Sequence, residues 1–151
     1  MAACAPALGA AADPPRITDA GMSPRRFAVD RTGPSELQAA AARGSTFHYD
    51  LSKQAEVFFF LDRGTRGRVV GGHCRRETRR NRRHHRYCVR YVRSGSFKQS
   101  AKAGANVKPF SGRIGKHTLK PAHYKATLVA VDSMGNPSTP GKVLRFTLLR
   151  G

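Results

Sequence analysis

An all-β sandwich is the fold class this sequence predicts, and three observations predict it. Apolar residues recur at every second position in several short stretches, as half-buried strands require. Turn-forming Gly, Pro, Asn, Asp and Ser separate those stretches at short intervals. Only Ser35 to Arg43 is compatible with a helix, and it is short. Seven or more strands in about 110 residues read as an antiparallel sandwich.

The elements follow in order. Residues 1–15, MAACAPALGAAADPP, are expected to be a disordered tail or the remnant of a signal peptide. Ala10-Ala11-Ala12 before Asp13 fits a small-x-small cleavage site, but a positive n-region is missing. Residues 16–42 hold two short strand-like patches, Arg16–Asp19 and Arg26–Val29, then a Gly33-Pro34 turn and an Ala-rich linker. Residues 43–150 are expected to form the sandwich. Phe47, Tyr49 and Leu51 share one strand face, and Thr46, His48 and Asp50 the other. Val57 to Leu61 is a continuous β-former run, as in a strand covered on both sides. Arg66 to Val70 reads as a shorter strand ending at Gly71-Gly72, and Cys88 to Val92 as another. Val107 to Ile114 follows a Gly104 turn, with Pro109 marking an edge or a bulge. Tyr124, Ala126, Leu128 and Ala130 alternate cleanly, as do Leu144, Phe146 and Leu148.

Charge narrows the function classes. The 151 residues carry 28 Lys+Arg against 9 Asp+Glu, a formal +19, and twenty of the basic residues are Arg. Such an excess attracts polyanions: nucleic acid, anionic lipid or acidic glycans. The competing reading is a compositional bias towards Ala, Arg and Gly. No apolar run approaches the roughly 20 residues needed to cross a bilayer. No heptad, collagen period or internal repeat is visible. Nine acids leave little for paired-carboxylate catalysis, and no G-x-S-x-G elbow occurs. An enzyme is therefore not expected, and no cofactor.

The segment His73 to Cys88 is the loudest chemically. It holds Arg75, Arg76, Arg79, Arg80, Arg82, Arg83 and Arg86 with one acid, Glu77. Seven like charges repel one another, so the loop, residues 73–87, must project into solvent. Arg is planar and forked and suits phosphate, sulfate or carboxylate, which makes the segment a candidate anion-binding finger. The plainer alternative is a solvated, drifting loop. Tyr87 and Tyr91 fall on one strand face, which could be the core side. Cys74 and Cys88 close a 15-residue ring. Three states are open to them: a disulfide, worth roughly 3 kcal/mol by chain entropy, zinc binding with His84 or His85, or free thiols. The spacing fits no standard zinc finger, and the neighbouring Arg oppose a cation. A disulfide would imply export. Cys4 lies in the tail. Gly115-Lys116-His117-Thr118 lacks the first Gly of a phosphate loop. Asp132 to Asn136 reads as a plain hairpin turn rather than a calcium loop.

Leu119-Lys120-Pro121-Ala122-His123-Tyr124 has the L-x-P-x-x-Y spacing of a tyrosine corner, with Leu119, Pro121 and Tyr124 as its structural residues. The corner, the alternating strand after it and the Asp132–Ser138 turn resemble the end of a fibronectin type III or related Ig-like domain. Residues 44 to 148 are similar to an Ig-like module found near the C-termini of secreted actinobacterial proteins. The order matches: Gly44-Ser45-Thr46-Phe47-His48-Tyr49-Asp50-Leu51-Ser52, a Val/Phe strand, an Arg-rich insert between two Cys, Pro109-Phe110-Ser111-Gly112-Arg113-Ile114, then the corner. Pro109 departs from that pattern. The resemblance implies a non-catalytic adhesion, spacer or interaction module in a secreted or cell-envelope context. The alternative is a basic module that binds nucleic acid or another polyanion through the Arg-rich loop. Expected partners are acidic polymers, either envelope glycans or nucleic acid, and other protein domains.

Overall fold

A computed structural model describes residues 13–31 and 43–151. The Ala-rich start and the helix-compatible stretch as far as Ala42 lie outside the described residues. Eleven strands and no helix occur among those described: β1 Ile17–Ser23, β2 Arg26–Ala28, β3 Ser45–Leu51, β4 Ala55–Val70, β5 His73–Arg76, β6 Tyr87–Ala101, β7 Gly104–Phe110, β8 Arg113–Ile114, β9 His117–Thr118, β10 Ala122–Val131 and β11 Lys142–Leu149. They form an all-β sandwich. One sheet runs β1-β3-β7. The other runs β2-β11-β10-β4, with β6 on the free edge of β4. Pairing is antiparallel except for β2, which lies parallel to β11. A two-stranded hairpin, β8-β9, stands apart.

Alternation decides which side chains meet between the sheets. Phe47, Tyr49 and Leu51 of β3 face Val57, Phe59 and Leu61 of β4, with Tyr124, Ala126, Leu128 and Ala130 of β10 beside them. All are 4 % exposed or less. Burying each large apolar side chain contributes about 1.5–3 kcal/mol, which outweighs any single polar contact in the molecule. Aromatic rings knit the layers together: Phe47 lies 5.1 Å from Phe59, and Phe97 of β6 stacks 5.4 Å from Phe110 of β7. Strand β7 is an edge, which accommodates Pro109 and its missing N–H.

The structure departs from the sequence reading at several strands, among them Val107–Ile114, which breaks at Ser111-Gly112 into β7 and β8. The patches at 16–19 and 26–29 belong to β1 and β2, and Ile17, Met22 and Phe27 are core. The sandwich therefore draws on chain upstream of residue 43. Val57–Leu61 is not covered on both faces: Val57, Phe59 and Leu61 are fully buried, whereas Phe58 and Phe60 are half-buried. Among the described residues no third layer lies over them; they stack on each other 6.2 Å apart, and Arg93 covers Phe60. Residues 57–61 and 66–70 are one strand of 16 residues, because Gly64 and Gly67 extend without a turn. Likewise Cys88–Val92 is the start of the 15-residue β6, which bulges at Ser94.

Candidate functional site: an arginine arm

Strands β4 and β6 outrun the sandwich. Pairing of β4 with β10 stops at Arg63–Tyr124, while pairing with β6 continues to Arg68–Tyr87. The last residues of β4 instead take β5 on the edge that β10 has left, Gly67–Val70 against His73–Arg76. The result is a single-layer, three-stranded arm. Its first turn is Gly71-Gly72, both with positive φ, 59° and 78°. A two-residue hairpin with positive φ at both positions needs Gly or Asn there.

Among the described residues no apolar layer stands behind the arm, and covalent and polar ties hold it. Cys74 and Cys88 form a disulfide with a Cα–Cα distance of 6.0 Å. The bridge joins β5 to β6 across the central strand, directly over Gly67. A Cβ on Gly67 would sit 2.5 Å from Cys74 Sγ and 3.0 Å from Cys88 Sγ, so only glycine fits beneath the bridge. Both sulfurs are consumed, which removes the thiolates a zinc site would use. The tip, residues 77–86, carries hydrogen bonds of its own. Thr78 N–H donates to Asn81 Oδ1 at 2.8 Å, Asn81 N–H donates to Thr78 Oγ1 at 3.2 Å, and Asn81 Nδ2 donates to Arg76 O at 2.9 Å. Arg68 Nε reaches Glu77 at 2.8 Å, and its Nη1 donates to His85 O at 3.0 Å.

Between Asp62 and Arg93 the chain carries twelve arginines, two acids and no lysine. The acids are both engaged: Glu77 with Arg68, and Asp62 with Arg93 at 2.5 Å. Among the described residues no other acid lies within ion-pair distance of an arm arginine. Arg75, Arg76, Arg79, Arg80, Arg82, Arg83 and Arg86 are all exposed. In the ladder Arg75 stands opposite Arg68 and Arg76 opposite Gly67, so these two neighbours project to opposite faces. The other five occupy or flank the tip. Ten guanidinium groups thus stand unneutralised on a scaffold whose backbone is fixed, an arrangement suited to bidentate contacts with anionic oxygens.

The remaining sequence candidates sit in the body. Tyr124 is 1 % exposed, and its hydroxyl donates to Lys120 O at 2.5 Å. Burial raises its pKa, against smaller lowering effects of Arg63 and of that hydrogen bond. Leu119 is buried and its N–H donates to Gly112 O; Pro121 is exposed. Asp132 closes the β10–β11 turn. Its carboxylate accepts the N–H groups of Asn136 and Met134 and bonds Lys53 at 3.1 Å. The Asn136 N–H, helped by Lys53, holds its pKa down at about 2 despite burial. Both oxygens are occupied by protein donors.

Sequence reasoning missed Gly67, whose role depends on a bridge above it. It also missed a groove of about 360 Å³ at the base of the arm, bordered by Arg25, Arg26, Arg66 and Arg145. Tyr87 and Tyr91 do share one face, but that face is open to the groove and not to the core. No protein-family model matches the chain, and no curated protein matches it significantly.

Proposed function

We propose that the chain is a non-catalytic Ig-like, fibronectin type III-like interaction module of an exported or cell-envelope protein, and that its arginine arm binds acidic polymers. The order of the seven longer strands, β1-β3-β7 against β11-β10-β4-β6, and the Tyr124 corner support the fibronectin-like part. The disulfide supports an oxidising compartment. One observation carries the binding part: the arm concentrates twelve arginines with only two acids and no lysine, and its disulfide and glycines brace it. A merely compositional bias would scatter arginine over the whole surface. The arm offers no helix to a major groove, so binding is indifferent to base sequence where the polymer is DNA.

The test compares two variants of equal charge loss. R79Q/R80Q/R82Q/R83Q strips the tip. K102Q/K116Q/K120Q/K142Q strips four exposed lysines of the body. Lys98 and Lys108 are avoided because one pairs with Glu56 and the other lies over Phe97. Affinity for a sulfated glycan at low salt should fall at least about tenfold in the tip variant and much less in the lysine variant, with a shallower salt dependence in the former. Equal losses would mean that net charge, and not the arm, binds.

A further inference from the structure

We propose that the groove at the base of the arm seats the sugar rings of an acidic polysaccharide, making this chain a glycan reader rather than a general polyanion binder. The inference rests on the polyanion reading above and assigns it a second, chemically distinct subsite.

The floor of the groove comes from strand register. Gly64 pairs with Tyr91, Arg66 with Val89 and Arg68 with Tyr87, so Tyr87, Val89 and Tyr91 line one face. Tyr87 is 52 % exposed and Val89 45 %; Arg68 lies over the Tyr87 ring at 5.6 Å and Lys125 over the Tyr91 ring at 4.5 Å, so cations and aromatic surface alternate here. Gly64 contributes no side chain: a Cβ there would lie 3.2 Å from Val89 Cγ1 and 3.7 Å from Tyr91 Cε1. Val89 and Tyr91 therefore lie down over β4, and a trough remains beside them. Tyr87 and Tyr91 stand four residues apart on one strand, roughly 13 Å. They meet successive units of a polymer, not the two sides of one ring.

The rim is cationic. Arg25 enters from the turn before β2, Arg26 from β2 itself, Arg145 from β11 and Arg66 from β4, with His123 of β10 beside them. No Asp or Glu is among the described residues that line it. The volume of about 360 Å³ lies within the range of small-ligand sites. An apolar, tyrosine-bearing floor under a ring of guanidinium groups is complementary to a ring that carries carboxylate or sulfate at its edge. A nucleobase stack shares part of this chemistry. The Cys74–Cys88 bridge in the same arm favours the glycan, because disulfides persist in oxidising compartments, away from the reducing cytosol that holds most nucleic acid.

The experiment measures binding of the full chain to a heparin hexasaccharide, to linear polyphosphate of matched charge and to dT12. The variants are Y87A/Y91A, Y87F/Y91F and the four-Gln tip variant. The proposal expects Y87A/Y91A to lose about tenfold or more in affinity for the hexasaccharide, a change of about 1.4 kcal/mol, and to keep its affinity for polyphosphate. Y87F/Y91F keeps the ring faces and should bind as the parent does, and the retained polyphosphate affinity of Y87A/Y91A excludes unfolding as the cause. Equal losses on hexasaccharide and polyphosphate, or no loss on either, overturn the groove and leave the arm reading standing. Selective loss on dT12 with the hexasaccharide unaffected overturns the glycan in favour of a single-stranded nucleic acid. If the parent binds none of the three probes, the polyanion reading itself fails.

Discussion

The sandwich and the arm are built from the same two long strands yet obey different physics. Inside the sandwich, β4 carries Val57, Phe59 and Leu61, all fully buried, and its stability is apolar burial. Beyond Arg63 the same strand carries Thr65, Arg66, Arg68 and Val69, with no second layer among the described residues to pack against. There the ladder, one disulfide and a few charge-assisted bonds replace the core. A strand can therefore leave its sheet while keeping its shape, provided that cross-links stand in for packing. The cations are divided in the same way. Every lysine of the chain lies outside the arm and twelve of the twenty arginines lie within it. Isolated lysines keep the body solvated, whereas planar guanidinium groups on a rigid ladder present fixed donors.

The largest test of this contrast is in the body. Phe59→Ala removes a fully buried ring and should cost about 3–5 kcal/mol in urea unfolding. A loss near that of an arm substitution would mean that the two regions are not distinct. Next comes Gly67→Val. A side chain beneath the bridge prevents its closure, so thiol titration should find Cys74 and Cys88 free, with up to about 3 kcal/mol of stability lost. An intact disulfide in that variant would show that the arm is softer than its geometry implies. Tyr124→Phe leaves Lys120 O without its donor and should cost about 1–2 kcal/mol, with the fold unchanged.

Acid separates the regions in another way. Asp132 has its folded-state pKa depressed to about 2 from an ordinary 3.8. A depressed carboxylate contributes stability above its unfolded pKa and loses it as pH falls through the folded value. Melting temperature should therefore drop as pH falls from about 4 to about 2, and Asp132→Asn should flatten that segment of the curve while lowering the plateau above it. The smallest effect belongs to the arm. R79Q/R80Q/R82Q/R83Q should shift unfolding free energy by under about 0.5 kcal/mol, since exposed charges contribute little to stability. A larger stabilisation on charge removal would measure the repulsion that the arm holds in check.

Much of the body was legible because alternation reports a strand's buried face directly. Phe47, Tyr49 and Leu51, like Leu144, Phe146 and Leu148, face the core from local pattern alone. Gly71-Gly72 marked a turn for an equally local reason: few residues other than Gly adopt positive φ there. What lies opposite a face is not local. The pattern Tyr87-x-Val89-x-Tyr91 defines one side of a strand but not whether a second sheet covers it, and among the described residues none does. The fusion of 57–61 with 66–70 escaped notice because Gly64 and Gly67 look like breaks until β10, Tyr91 and the disulfide crowd them.

By itself the sequence determined the fold class, the faces of the main strands, the sign and density of charge, and the two Cys that could meet. These follow from period, propensity and count, which are properties of neighbours in the chain. Only the tertiary structure decided which arginines are neutralised, that the bridge spans a glycine, and that Arg25, Arg66, His123 and Arg145 border one groove. Those residues come from three strands and the turn before β2, and nothing but the closing of the sheet brings them together.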